Sequence, residues 1–362
     1  MNNHVILRAM TRCRQYGTET ESAFIRWLTV RVGGYEDEMR NVHRVVRKPD
    51  GSPSRTLFSS HTDSVHRQGG KNKIVTTATH WTATPNSGRA LGADDATGIA
   101  LMVHMIDNNI PGHYIFHRGE EVGGVGSKWL ADRHAEWLRK EFDRAIAFDR
   151  AGYSDVITYQ GGDRCCSDKF AEALTDQLNE HGALYMPDDG GVYTDTREYM
   201  ELIPECTNLS VGYDHQHGDS EKQDIAFFHA LAGIVLKVKW DELPTARDPE
   251  VYDTLWNTAK WGPAVLTAGV LGASPFLTDY DTHASHAVEV GSALDRAYLG
   301  DYRALVAMAA EWAYPENPTM VERRIKSAKL TVPVLDRMYD QLLDQDDPDG
   351  VLAAVVDIAY ID

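Results

Sequence analysis

Residues 113–152 read HYIFHRGEEVGGVGSKWLADRHAEWLRKEFDRAIAFDRAG. HYIFHR (113–118) and RAIAFD (144–149) are short and apolar enough for buried strands. SKWLADRHAEWL (127–138) lies between them and predicts a helix. Strand, helix, strand is the repeating unit of an α/β layer with a parallel sheet. The same alternation continues on both sides. Upstream, 94–108 predicts a helix. NVHRVVRK (41–48) and SRTLFSS (54–60) flank the turn formers Pro49-Asp50-Gly51-Ser52 and predict a strand pair. Thr18 with Glu21 resembles a capping box, and Phe24, Ile25, Leu28 and Val32 behind it predict a helix over about 19–32. Downstream come a helix near 167–181, a strand near 205–213, and a helix over about 222–239 with Ile225, Phe228, Ala232 and Val235 on one face. The fold class is α/β: a three-layer αβα arrangement on a mixed, largely parallel sheet. In such sheets ligands bind at the carboxyl ends of the strands.

The pattern changes near 241–249, where Asp241-Glu242-Leu243-Pro244 and Asp248-Pro249 read as a linker. Beyond it, helical segments dominate at about 251–260, 293–313 and 333–345, with Pro333 suited to a first helical turn. The expected division is a catalytic domain over 1–242 and a mostly helical region of unassigned role over 243–362. With 362 residues the chain has ample length for a core. Its 36 basic and 54 acidic residues leave a net charge of −18, which argues against a nucleic-acid partner and against docking on anionic lipid. No apolar run approaches the ~18 residues of a membrane span, and the N-terminus lacks the apolar core of a secretory signal. The four cysteines, Cys13, Cys165, Cys166 and Cys206, follow no ligand or disulfide spacing. These features fit a reducing, cytoplasmic setting.

Five stretches carry chemistry. They are His61-Thr62-Asp63 after the TLFSS run, LGADDATGIA with Asp94 and Asp95, HRGEEVGGVGS with Glu120 and Glu121, AFDRAG with Asp149, and NLSVGYDHQHGDSE with His215 and His217. Each alone has an ordinary reading: a surface turn, an acidic helix start, a solvated pair, a local ion pair, loop histidines. Together they place His, Asp and Glu wherever a predicted strand stops or a helix begins. Glycines at 92, 98, 119, 123, 124 and 126 stand where the backbone must turn tightly. Histidine and carboxylate donors suit zinc and similar divalent ions. A pair of such ions needs a bridging carboxylate, further ligands for each and a separate base. The sequence supplies that count. Asp94 can bridge, His61 and Asp149 can complete one ion, Glu121 and His217 the other, and Glu120 remains as base. Asp63 can accept from the second ring nitrogen of His61 and fix its tautomer.

HTD, GADDATG, GEEVGGVGS, AFDR and NLSVGYDHQH resemble the metal-site motifs of the co-catalytic dizinc exopeptidases, the MH clan of metallopeptidases. CCSDKFAEAL and YTDTREYMELIPECTNLSVGY resemble its leucyl-aminopeptidase-like branch. The resemblance covers about residues 15–240. It implies a zinc-exopeptidase-like fold and a metallo-aminopeptidase acting on peptides, with two divalent ions, zinc first and cobalt or manganese as alternatives. Carried over by position, it implies His61, Asp94, Glu121, Asp149 and His217 as ligands, Glu120 as general base and Asp63 as orienter of His61. His215 is an alternative to His217 as ligand, or a substrate contact. Thr194 and Asp195 read as a helix cap, and the resemblance suggests them at the substrate mouth. Only 68 positions separate Asp149 from His217, too few for the lid domain that the carboxypeptidase and deacetylase branch inserts there. A dipeptidase or N-acyl amino-acid amidohydrolase of the same clan is a second reading, and a non-catalytic binding protein on a peptidase fold a third. Cys165-Cys166, His104, His113, His117, Trp129, Trp137 and Trp240 are read as structural.

Overall fold

The computed structural model describes residues 3–251. The helices expected at about 293–313 and 333–345, and all but the first residue of that at 251–260, lie outside them. Eight strands form the main sheet: β1 (Tyr35–Glu36), β2 (Val42–Val46), β3 (Thr56–His61), β4 (Gly112–His117), β5 (Arg144–Arg150), β6 (Asp155–Ile157), β7 (Met186–Asp188) and β8 (Glu205–Ser210). Their spatial order is β7-β6-β8-β5-β3-β4-β2-β1. The central strands β8, β5, β3 and β4 run parallel to one another. β2 and β1 join antiparallel at one side, and β6 antiparallel at the other.

Helices cover both faces. They are α1 (His4–Met10), α2 (Glu19–Val32), α3 (Ala93–Asp107), α4 (Val125–Arg133), α5 (Ala135–Glu141), α6 (Asp168–Glu180) and α7 (Ile225–Ile234). Alternate side chains of a strand point to opposite faces. Phe58, Tyr114 and Phe148 share one face, where Phe58 and Phe148 meet Trp240 edge-on. α3 lies against that face. A Cβ at Gly98 would approach the Phe148 carbonyl to 2.4 Å, so only glycine permits this close passage. On the other face His113 packs against Trp137 of α5 and against Phe142, and His117 against Tyr199. Both histidines are buried among these rings, and Cys165, Cys166 and Cys206 are buried free thiols.

The sequence expectations need five corrections. The runs 41–48 and 54–60 both form strands but do not pair with each other, because β4 inserts between β2 and β3. The helix expected at 127–138 is two helices that break at His134. The helix expected from 222 begins at Ile225, and Lys222–Asp224 is a strand instead. That strand belongs to a four-stranded sheet with Ile74–Thr76, His80–Ala83 and Tyr213–Asp214. The Thr18 side chain accepts from the Glu21 N–H as a cap should, but Glu21 reaches the Gly17 N–H and Arg118 rather than closing the box. Finally, 241–249 is not a loose linker. Asp241 accepts from Ser54, Arg144 donates to the Leu243 carbonyl, and the Ala246 and Arg247 N–H groups both donate to Glu205. The Arg247 guanidinium donates to the Met200 and Pro204 carbonyls. Among the described residues no helix is long and apolar enough to cross a membrane.

Candidate metal centre

The topology gathers the five sequence stretches. β3, β4 and β5 are adjacent and parallel, so their carboxyl ends open on the same side of the sheet. His61 ends β3, Glu120 and Glu121 follow β4 through a turn at Gly119 (φ +80°), and Asp149 lies at the end of β5. α3 returns across the sheet, which brings its first residues back to the same edge. Asp94 and Asp95 there depart from helical backbone angles.

Two donor groups result. His61, Asp94 and Asp149 offer atoms that lie within 4.8 Å of one another, and so do Asp94, Glu121 and His217. Asp94 belongs to both. Its Oδ1 is 2.9 Å from His61 Nε2, and its Oδ2 is 3.0 Å from His217 Nε2. His61 Nε2 lies 3.5 Å from Asp149, and His217 Nε2 lies 3.2 Å from Glu121. His217 makes these approaches. His215 is exposed in the same loop and does not border the cavity described below.

Neighbouring groups hold several of these side chains in place. Asp149 accepts from Thr194 at 2.8 Å and from the Tyr213 hydroxyl at 3.2 Å, and Asn208 brackets its backbone from β8 with two hydrogen bonds. Asp95 accepts from the His61 and Gly98 N–H groups and so ties α3 to β3. Asp63 lies 3.5 Å from His61 Nδ1, an ionic approach longer than a hydrogen bond. Its oxygens instead accept the N–H groups of Gly119, Glu120 and Glu121 at 2.9, 3.1 and 3.2 Å. Asp63 is therefore the anchor of the Glu120-Glu121 turn as well as a neighbour of His61. Thr194 precedes the short 3-10 helix Asp195–Tyr199, but its hydroxyl is committed to Asp149 rather than to a cap. Asp195 is buried 3.5 Å from His117, away from the cavity lining.

The electrostatics say what this pocket is short of. Burial raises Glu121 to about 7, with Asp94 adding to the rise. Burial raises Glu120 well above the carboxylate range, with Asp149, Asp195 and Glu121 adding and His61 opposing. Burial likewise raises Asp149 and lifts Asp195 to about 8. His217 is raised to about 11 by its hydrogen bonds to Asp94 and Glu121. Burial alone would lower His61, but Asp149, Asp63 and Asp94 raise it well above the usual value. Added positive charge would favour the charged form of these buried carboxyls, and an imidazole would shed its proton to bind such a cation. The Glu121 Oε1 atom is buried with no hydrogen-bond partner. Donor chemistry and spacing fit two divalent cations that share Asp94.

A cavity of about 100 Å³ opens beside the centre. Its lining includes Asp94, Glu120, Asp149 and His217 together with Ile157, Gln160, Val192, Tyr193 and Thr194. Glu120 borders this space and is in neither donor group. Sequence reasoning gave no role to Arg14, Asp95, Asn208, Tyr213 or Glu221, all of which brace the centre. Asp95, Asn208, Tyr213 and Glu221 lie inside the chemistry-bearing stretches, whereas Arg14 stands in no pattern.

No protein-family model matches the chain, and no curated protein matches it by sequence. Solved structures share the fold. An aminopeptidase PepT from Bacillus cereus aligns at 16% identity with a TM-score of 0.54, covering 66% of this chain and 98% of that one. A tripeptidase from Staphylococcus aureus aligns at 14% identity with a TM-score of 0.53, covering 65% and 95%. An aminopeptidase from the archaeon Desulfurococcus kamchatkensis aligns at 12% identity with a TM-score of 0.51, covering 68% and 96%. The described α/β layer is thus the fold of these peptidases.

Proposed function

We propose that the chain is a metal-dependent aminopeptidase that hydrolyses the first peptide bond of peptides from a free amino terminus. Its catalytic domain would span residues 1–242 and belong to the leucyl-aminopeptidase-like branch without an inserted lid. The observation that carries this reading is the division of labour at Asp94. One oxygen faces His61 and the other His217, while Glu120 borders the same cavity outside both groups.

His61 and Asp149 would hold one ion, Glu121 and His217 the other, with Asp94 shared. Zinc is the first candidate, with cobalt or manganese as alternatives. Bound there, such ions would supply Lewis-acid polarisation of the scissile carbonyl and a water of lowered pKa. Glu120 takes a proton from the attacking water and returns it to the leaving amine. Its backbone N–H is fixed by Asp63, so the side chain reaches the cavity from a set position. Thr194 and Tyr213 hold the Asp149 carboxylate by donating to it, which leaves its orientation little freedom.

The test couples a metal count to substrate choice. Purified protein is analysed for bound divalent ions and assayed with an amino-acid anilide and with N-acyl amino acids. Two ions per chain, anilide hydrolysis, loss with a chelator and recovery with zinc, cobalt or manganese are expected. Preference for the N-acyl compounds would turn the reading to an amidohydrolase. A metal-free, inert protein would turn it to a binding role.

A further inference from the structure

Besides Asp95 and Asp63, two further buried side chains outside the donor groups tie the candidate ligand segments together. Arg14 is fully buried. Its guanidinium donates to the Thr62 carbonyl at 2.9 Å, to the Asp63 carbonyl at 3.3 Å and to the Gly92 carbonyl at 2.9 Å. Its backbone also pairs with Ser64 in both directions. Arg14 thus spans from the loop after His61 to the loop before Asp94. Glu221 is fully buried as well. Its carboxylate accepts the Gly92 N–H at 3.0 Å and the Asp94 N–H at 3.1 Å. Glu221 closes the loop that carries His217, which leaves strand Tyr213–Asp214 and returns as strand Lys222–Asp224. It therefore fixes the His217 loop against Asp94.

We propose that Arg14 and Glu221 are separate positioning residues for the two halves of the centre. Arg14 sets His61 against Asp94, and Glu221 sets His217 against Asp94. The argument is geometric. His61 is held in the sheet from its own side, but only cross-links fix the separation between segments that no β-ladder joins. A planar guanidinium with several donors holds three carbonyls at once, which an ammonium group on a flexible stem does not do. A carboxylate with two acceptor oxygens can span two N–H groups. Replacing one oxygen by NH2 turns a donor toward a donor. The inference rests on the two-ion reading above.

The experiment measures ion binding rather than turnover. Metal-free wild type, Arg14→Lys and Glu221→Gln are titrated with Co²⁺, followed by calorimetry and by the visible absorption of the bound ion. Thermal unfolding of each metal-free protein checks that it is folded. His61→Ala and His217→Ala assign the two binding steps. Glu221→Gln should weaken the His217 step by about tenfold or more and leave the His61 step nearly unchanged. Arg14→Lys, which keeps the charge and loses the fork, should do the reverse. Equal weakening of both steps, or no weakening in a folded variant, overturns the inference and leaves the two-ion reading intact. A wild type that binds no ion overturns both. Should Arg14→Lys not fold, Glu221→Gln decides alone, since its effect must be confined to one step.

Discussion

The two halves of the centre are built differently. In the half of His61 and Asp149, both candidate ligands stand at the ends of central parallel strands, and His61 is only 1% exposed. Thr194 and Tyr213 donate to the Asp149 carboxylate, and Asn208 both donates to and accepts from its backbone. In the half of Glu121 and His217, one candidate ligand follows a strand by a turn and the other stands on a loop. The His217 side chain is 53% exposed, and its backbone is left-handed (φ 68°). Strand ends inherit their placement from ladder hydrogen bonds shared with several neighbours. A loop residue has no ladder and is held by whichever side chains reach its flanks. The expected consequence is a firm half and a looser one that share Asp94.

Asp94→Ala attacks what the halves have in common and should have the largest effect. Both ions should be lost together and hydrolysis should fall to background. Metal analysis that finds one intact high-affinity site would break the claim of a shared ligand. Glu120→Gln should leave both halves loaded and lower kcat on an anilide by about 10²- to 10⁴-fold. Near-normal turnover would remove Glu120 from the base role. Thr194→Val sharpens the comparison, because it strips a hydrogen bond from Asp149 alone. It should weaken the ion of the His61 half by about tenfold and spare the His217 half, which the Co²⁺ titration resolves.

The smallest effect on the centre should come from acid acting elsewhere. Burial, with His43 adding, lowers His113 to about 3, and burial foremost lowers His117 to about 3 as well. Both stay neutral in the folded chain and gain protons on unfolding below about 6.5. The unfolded state then binds more protons, so stability is full above that pH and falls as pH drops toward 3. Unfolding of metal-free His113→Gln should therefore depend less on pH than that of wild type between about pH 6.5 and 4. Equal slopes for the two proteins would show that His113 is not a source of the acid sensitivity.

What could be read from the residues was local. Apolar runs bounded by turn formers gave β3, β4 and β5, and helical spacing gave α2. Strand ends marked by His, Asp or Glu gave the members of both donor groups, because a site at strand termini leaves its polar residues beside apolar runs. Reading failed where distant segments compete. The strands on either side of Pro49–Ser52 read as a pair, yet β4, some fifty residues later, lies between them and offers one edge to each. Asp63 stands 3.5 Å from His61 Nδ1, where its spacing in the sequence puts it, but nothing local announces the three N–H groups from the 119–121 turn that its oxygens also accept.

The sequence by itself determined the alternating elements, the acidic surface balance and the set of side chains able to bind metal, since these follow from period, composition and donor chemistry. Tertiary structure alone decided which strands pair, that His217 rather than His215 approaches Asp94, and that Arg14 and Glu221 brace the centre. The reason is physical. A buried charge is tolerated only where folding brings it hydrogen-bonding partners, and the partners of Arg14 and Glu221 are backbone groups 48 to 129 residues away, which leave no mark on the local sequence.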